Sequence, residues 1–284
     1  MHAALEQLHN RLSLTHSTRT VEAYLTELRR FSAWGGRANS NPADLDRYLA
    51  ERKAGGLGSS GLGVAVCALR KLYRFLDLPA TVTHLKLPRN PKRIQRALTA
   101  DELMRLLSTL DSSTVTGKRD LALVGLAVSA GLRATELCRL RLADVDLEQG
   151  QLKVLCKGGQ WKFGVFDAYA AALIAAWLPV RPAAAADTLF VSLARSSLTR
   201  GQPLTRGGLK TLCRRLAIRA GIPHFSPHSL RRTFATLAIE YGAPSRLLQE
   251  AGRWSSLDYV ELYSRGVRMK AFTQYSPLAR LMGR

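Results

Sequence analysis

"FSPHSLRRTFATLA", residues 225–238, decides how the rest of the chain reads. Ser226 is a helix N-cap, and Pro227 suits the first helical position, where its missing N–H costs no hydrogen bond. His228 and Arg231 then stand at i, i+3 on one face. A helix N-terminus presents unpaired backbone N–H groups, so a histidine and an arginine converging there make an anion site. The plainer alternative is a histidine satisfied near its cap and an arginine in solvent. Taken alone, the segment leaves both readings open.

Three other segments bear on the choice. In "AGLRATELCRL" (130–140), Arg133 opens a helix after a break at Gly131, and Glu136 follows three residues later. An ordinary surface ion pair would look the same. The apolar run ending in Ala130-Gly131-Leu132 argues instead for a partly buried arginine, which wants a bidentate carboxylate or phosphate partner. In "CKGGQWKFG" (156–164), Lys157 ends a strand before Gly158-Gly159. Such a lysine is ordinarily just solvated; functionally it is a proton donor or phosphate contact. In "AGRWSSLDYVELYSRG" (251–266), Tyr259 and Tyr263 are i, i+4, so helical periodicity cannot rank them, and Trp254 upstream reads first as a core aromatic.

The bulk composition narrows the partner. The chain has 284 residues, a length that accommodates two domains, and a formal net charge of +21. So basic a chain faces a polyanion, with nucleic acid first and an anionic membrane surface second. No apolar run is long enough to span a bilayer, and the N-terminus lacks the apolar stretch of a signal peptide. Cys67, Cys138, Cys156 and Cys213 form no CxxC pair, which argues against a zinc site or disulfide framework and fits a reducing cytoplasm.

The first third reads as short helices. Val21, Tyr24, Leu25, Leu28 and Phe31 fall at helical spacing behind Ser17 or Thr18, and Asn41-Pro42 with Asp44 opens the next helix. "GGLGSSGLG" (55–63) reads as a flexible break before periodicity resumes through Val66, Leu69, Leu72, Tyr73 and Leu76. Basic residues recur on the polar faces, with Arg70, Lys71 and Arg74 as candidate phosphate contacts. "LKLPRNPKRIQRALTADE" (85–102) is a basic, proline-restricted linker carrying Lys92 and Arg93. Thr99 and Glu102 have capping-box spacing for the following helix. Beyond it, short alternating strands turn at Gln149-Gly150 and Gly158-Gly159, and helices dominate to the end.

Together these segments resemble the tyrosine recombinase (lambda integrase) family along nearly the whole chain. The resemblance rests on "AGLRATEL", the lysine-glycine hairpin, "HSLRRTFAT" and the tyrosine of "ELYSRG", in that order. It implies a mainly α fold with a small β-sheet (α+β). Residues 1–88 would form a helical core-binding, SAM-like DNA-binding domain, 89–96 a basic linker, and 97–284 the catalytic domain. Arg133 and Arg231 would hold the non-bridging oxygens of a scissile phosphate, with Glu136 orienting Arg133. Lys157 would protonate the departing 5′ oxygen, with Lys162 as the fallback. His228 would assist proton transfer or bond the phosphate, and Tyr263 would be the nucleophile of a 3′-phosphotyrosyl link. The covalent link keeps the phosphodiester energy, so no ATP, metal or other cofactor is implied.

Three departures from the commonest family pattern stand out. Gly252-Arg253-Trp254 replaces a second histidine after a glycine, and counting back from Tyr263 puts Trp254 in the histidine's place, with Arg253 as the alternative. The indole N–H only donates, so Trp254 could bond a phosphate but not act as a base. Arg232 stands where a histidine often follows the box arginine, and "GGQWKFGVF" replaces a more polar stretch. By the same resemblance, the partners are double-stranded DNA bearing inverted-repeat core sites and sister subunits in a tetramer. Two domains would clamp the duplex, and the tail beyond Tyr263 would dock on a neighbouring subunit. A second recombinase or accessory proteins would extend that list. No membrane partner is expected, and the expected location is cytoplasmic, on the nucleoid. The same resemblance leads us to expect a chain that starts at the core-binding domain, without an arm-site-binding domain. Competing functions are a non-catalytic DNA-binding protein of the same fold and a type IB topoisomerase.

Overall fold

The computed structural model describes residues 1–89, 96–156, 159–183, 187–194, 198–258 and 260–261. The chain divides into two compact units, Met1–Arg93 and Ile94–Arg284. The first is built from α1 (His2–Ser13), α2 (Thr18–Ala33), α3 (Pro42–Ala54) and α4 (Ser59–Phe75). Their apolar stripes meet in one core that includes Leu8, Leu28, Phe31, Leu45, Tyr48, Leu69, Leu72 and Tyr73. Tyr24, at the edge of the α2 stripe, stays half-buried. The caps form as the residue types dictate. Ser17 accepts from the Thr20 N–H, and Asn41 and Asp44 close a capping box behind Pro42.

The expected break at 55–63 is shorter than its glycines suggest. Helix α4 starts at Ser59 with Gly58 as its cap and runs through Gly61 and Gly63. Each helical glycine costs roughly 1 kcal/mol relative to alanine. The buried face formed by Ala65, Val66, Ala68, Leu69, Leu72 and Tyr73 outweighs that cost, because packing contributes more to helix stability than propensity does.

The second unit is mostly helical around a small sheet. It contains α5 (Ala100–Ser108), α6 (Val115–Ser129), α7 (Ala134–Arg139), β1 (Val145–Asp146), β2 (Gln151–Leu155), β3 (Trp161–Val165), α8 (Ala168–Trp177), α9 (Arg206–Arg219), α10 (Pro227–Glu240) and α11 (Ser245–Ala251). The three strands form an antiparallel sheet in the order β1-β2-β3. Thr99 and Glu102 make the capping box expected at α5, and the strands turn at Gly150 and Gly159, both with positive φ. Helix α6 lies centrally against α8 and α10. The core gathers Leu106, Leu123, Leu126, Ile174, Trp177, Phe190, Leu209 and Phe225. Among the described residues no helix is long and apolar enough to cross a membrane.

Candidate active site

The helix ends and turns of the second unit bring the conspicuous arginines together. Arg133 is the N-cap residue of α7, in extended backbone, where an arginine offers no acceptor to the helix. Glu136 supplies the capping contact instead: its Oε2 accepts from the Arg133 backbone N–H at 2.9 Å and its Oε1 from the Arg133 guanidinium at 2.6 Å. The Glu136 side chain is 1% exposed, that of Arg133 34%. Burial pushes the Glu136 carboxyl up, but the hydrogen bonds and charge of Arg133, with the charge of Arg253, outweigh it and hold it below the usual range.

Arg231 enters from α10. The Ser226–Ser229 capping box and Pro227 start that helix as its sequence dictates, and Arg231 is buried one turn in. Its guanidinium donates to the backbone oxygens of Gly131 and Gly252. Above it lies the Trp254 ring, 4.5 Å from the guanidinium carbon to the ring centroid, and Trp254 in turn stacks on Phe234. Gly131, with φ +58°, permits the approach of α10: a Cβ there would come within 2.4 Å of the Phe234 ring. The Gly131 carbonyl therefore reaches Arg231 because no side chain separates the two segments.

His228, on the first turn of α10, is exposed, yet its imidazole is pushed down to about 4. The causes are burial of part of the ring and the positive charges of Arg232, Arg231 and Arg133. For a residue this open to water the three guanidiniums are the firmer cause. The field at the ring is thus strongly positive, and the imidazole is neutral at pH 7.

The other expected residues are placed unequally. Lys157 and Tyr263 lie outside the described residues, as do Tyr259, Lys92 and Arg93. The residue before Lys157 is described: Cys156 is buried, and its Sγ lies 3.8 Å from Glu136 Oε1. Lys162, the fallback lysine, is exposed on β3 opposite Val154. Val260, three positions before Tyr263, is fully buried in a cluster with Ala235, Leu248 and Trp254. In the first unit, Arg70 donates to the Leu85 carbonyl, whereas Lys71 and Arg74 line a cavity of about 220 Å³ with Arg11 and His16.

Sequence reasoning missed the weight of Arg253. It is 5% exposed, sits in the left-handed region at φ +55°, and its side chain reaches Glu136 and the carbonyls of Ala130 and Gly131. The one signal in the sequence was its place after Gly252, at a helix C-terminus where left-handed backbone is common.

The comparisons with known proteins give the family. The phage integrase family matches residues 96–267, and the N-terminal SAM-like domain of phage integrases matches residues 5–78. Tyrosine recombinase XerA of Thermococcus kodakarensis is 34% identical over 250 residues, covering 88% of this chain and 85% of that protein. Tyrosine recombinase XerC of Bacillus pumilus is 29% identical, covering 97% and 93%. Among solved structures, the XerH site-specific recombinase bound to palindromic difH substrate shares the fold, with a TM-score of 0.74 at 22% identity, covering 91% of this chain and 79% of that one. The chain belongs to the phage integrase family and is a tyrosine site-specific recombinase that acts on DNA.

Proposed function

We propose that the chain cuts and rejoins duplex DNA at inverted-repeat core sites through a 3′-phosphotyrosyl intermediate on Tyr263. The observation that carries this reading is the meeting of Arg133 and Arg231, from distant segments, on the adjacent carbonyls of Arg253 and Gly252, with His228 in their field. A fixed positive site of this kind stabilises the charge that develops on a phosphate in the transition state. The Tyr263 oxygen attacks phosphorus and the bond to the 5′ oxygen breaks. Lys157 gives that leaving oxygen its proton, and neutral His228 takes the phenolic one or bonds the phosphate. The entering phosphodiester charge offsets the three guanidiniums and makes His228 more basic when a proton must be accepted. Glu136 holds Arg133 in place, and Trp254 fills the donor position beside the phosphate.

Residues 1–88 form the core-binding domain, 89–96 the linker and 97–284 the catalytic domain in this reading. Lys71, Arg74, Lys92 and Arg93 contact phosphates; Arg70, held on Leu85, contributes at the margin. The fold neighbours support duplex DNA as the substrate: the XerH structure holds its difH site, and a lambda integrase dimer, with a TM-score of 0.73, is bound to a core site. The active assembly is a tetramer on two sites in the cytoplasm, with or without a partner recombinase.

The test starts with an inverted repeat selected by the chain from random-sequence duplexes. A nicked suicide duplex of that repeat should trap a covalent adduct, and peptide mapping should place the DNA on Tyr263. Mapping to Tyr259, or an adduct that persists in Tyr263→Phe, would refute the assignment. Relaxation of plasmids lacking the repeat would favour a type IB topoisomerase.

A further inference from the structure

The turn at Gly252-Arg253 does more than end α11. Two adjacent carbonyls on it each receive a guanidinium: that of Gly252 accepts from Arg231, and that of Arg253 accepts from Arg133 at 3.3 Å. Two successive carbonyls can serve two arginines here because Arg253 is left-handed, a conformation that is unfavourable for any residue with a Cβ. Something must hold it, and its own side chain does. The Arg253 guanidinium donates to the Ala251 carbonyl at 2.8 Å and to the Ala130 carbonyl at 2.9 Å, and lies 3.6 Å from Glu136 Oε2. Both side chains of that last pair are 1% exposed. Strand β3 accommodates it with Gly164, where a Cβ would come within 2.6 Å of Arg253 Nη1.

We infer that Arg253 is a positioning residue: its guanidinium, locked onto Glu136 and the 130–131 backbone, fixes the turn whose carbonyls aim Arg133 and Arg231 at the phosphate. The inference rests on the assignment of those two arginines to the phosphate. Arg253 itself touches no substrate. It acts on the two cations in complementary ways, through its backbone oxygen on Arg133 and through the turn on Arg231, and its charge shares the Glu136 carboxylate with Arg133.

The experiment compares Arg253→Gly, Arg253→Lys and Tyr263→Phe on the nicked suicide duplex. Glycine accepts the left-handed backbone without strain, so Arg253→Gly removes the anchor and keeps the turn accessible. Its rate of adduct formation should fall about 100-fold, the scale of a small misplacement of catalytic groups. Affinity for the uncleaved duplex should stay within about threefold, because phosphate contacts spread over the interface supply most of it. Arg253→Lys keeps a charge without the planar fork and should recover only a small part of the rate. Guanidinium chloride at tens of millimolar, against sodium chloride at equal ionic strength, should restore part of the Arg253→Gly rate by filling the vacated space beside Glu136. A wild-type rate in Arg253→Gly overturns the inference. So does a loss of affinity and rate together that guanidinium leaves unmoved, since that marks a merely structural residue. If Tyr263→Phe still forms adduct while Arg253→Gly is defective and rescued, the nucleophile assignment falls and the positioning role stands.

Discussion

Each unit of the molecule buries one glutamate against arginines, and the two clusters differ in the burial of their cations and the charge left around them. In the first unit Glu27 takes a hydrogen bond from the Tyr48 hydroxyl at 2.7 Å, two from Arg52 at 2.9 and 3.2 Å, and one from Arg30 at 3.3 Å. The cations stay in touch with water: the Arg30 side chain is 58% exposed and that of Arg52 26%. In the second unit Glu136 is held by Arg133 and by an Arg253 as buried as itself, with Arg231 alongside. Both carboxyls are held below their usual range, since bonded cations outweigh the burial that raises them. What differs is the field left over. Around Glu136, positive charge from Arg232, Arg231 and Arg133 adds to partial burial of the ring in pushing the His228 imidazole down to about 4. A buried ion cluster is weak evidence of function by itself. Residual charge of one sign at a helix N-terminus is the informative feature.

The sharpest way to break the comparison is to remove the cation that has no counterpart in the first unit. Arg231→Ala should lower adduct formation on the suicide duplex by about 10³-fold, the upper range for losing one preorganised donor set. Arg231→Lys should recover little, because one ammonium cannot span the Gly131 and Gly252 carbonyls as the fork does. Single-turnover rates at saturating protein check both. A loss of less than tenfold would mean that Arg231 only braces the turn.

The carboxylates come next. Glu136→Gln keeps the side chain's shape but leaves Arg133 and Arg253 without their shared anion, so the rate should fall about 100-fold with the misplaced Arg133. Glu27→Gln should leave the rate within about threefold and instead lower the stability of the first unit by about 2 kcal/mol, the scale of hydrogen bonds to a charged group. Urea unfolding followed by far-UV circular dichroism, beside the cleavage assay, separates the two. If the effects were exchanged, the distinction between a structural and a catalytic cluster would fail.

Much of this was legible in the sequence because local rules and tertiary packing agree. Ser17, Asn41, Thr99 and Ser226 cap the helices their residue types announce, and the Gly150 and Gly159 turns set the small sheet. The helix-start spacing of Arg133, Glu136, His228 and Arg231 left an ordinary reading open, and the resemblance of their segments to the family chose the functional one. Two features were illegible for physical reasons. Gly61 and Gly63 signal a break locally, and only the α4 face packed in the core overrides them. Arg253 looked like a rival to Trp254 for one position, because a string of letters does not reveal a left-handed residue whose side chain turns inward. Its partners at 130–131, 136 and 164 come from three separate segments, so no local pattern announces them.

The smallest expected effect is the pH response of His228, and its sign follows from the positive field. An ordinary imidazole titrates at 6.5, and this one is pushed down to about 4. Between those values the unfolded chain binds a proton that the folded chain refuses, so stability falls as pH drops from about 6.5 toward 4. His228→Gln should flatten that part of the stability profile, measured by urea midpoints at pH 7, 6 and 5. No such slope belongs to the Glu27 cluster, whose carboxyl is held low and matters only in the acid range. Binding of duplex DNA should reverse part of the displacement, because a phosphate beside Arg133 and Arg231 cancels the charge that opposes protonation. In an NMR titration of ring-labelled histidine, His228 should therefore protonate at higher pH in the Tyr263→Phe complex with uncleaved duplex than in the free protein. An unchanged midpoint on DNA binding would place the phosphate elsewhere and would remove His228 from the reaction.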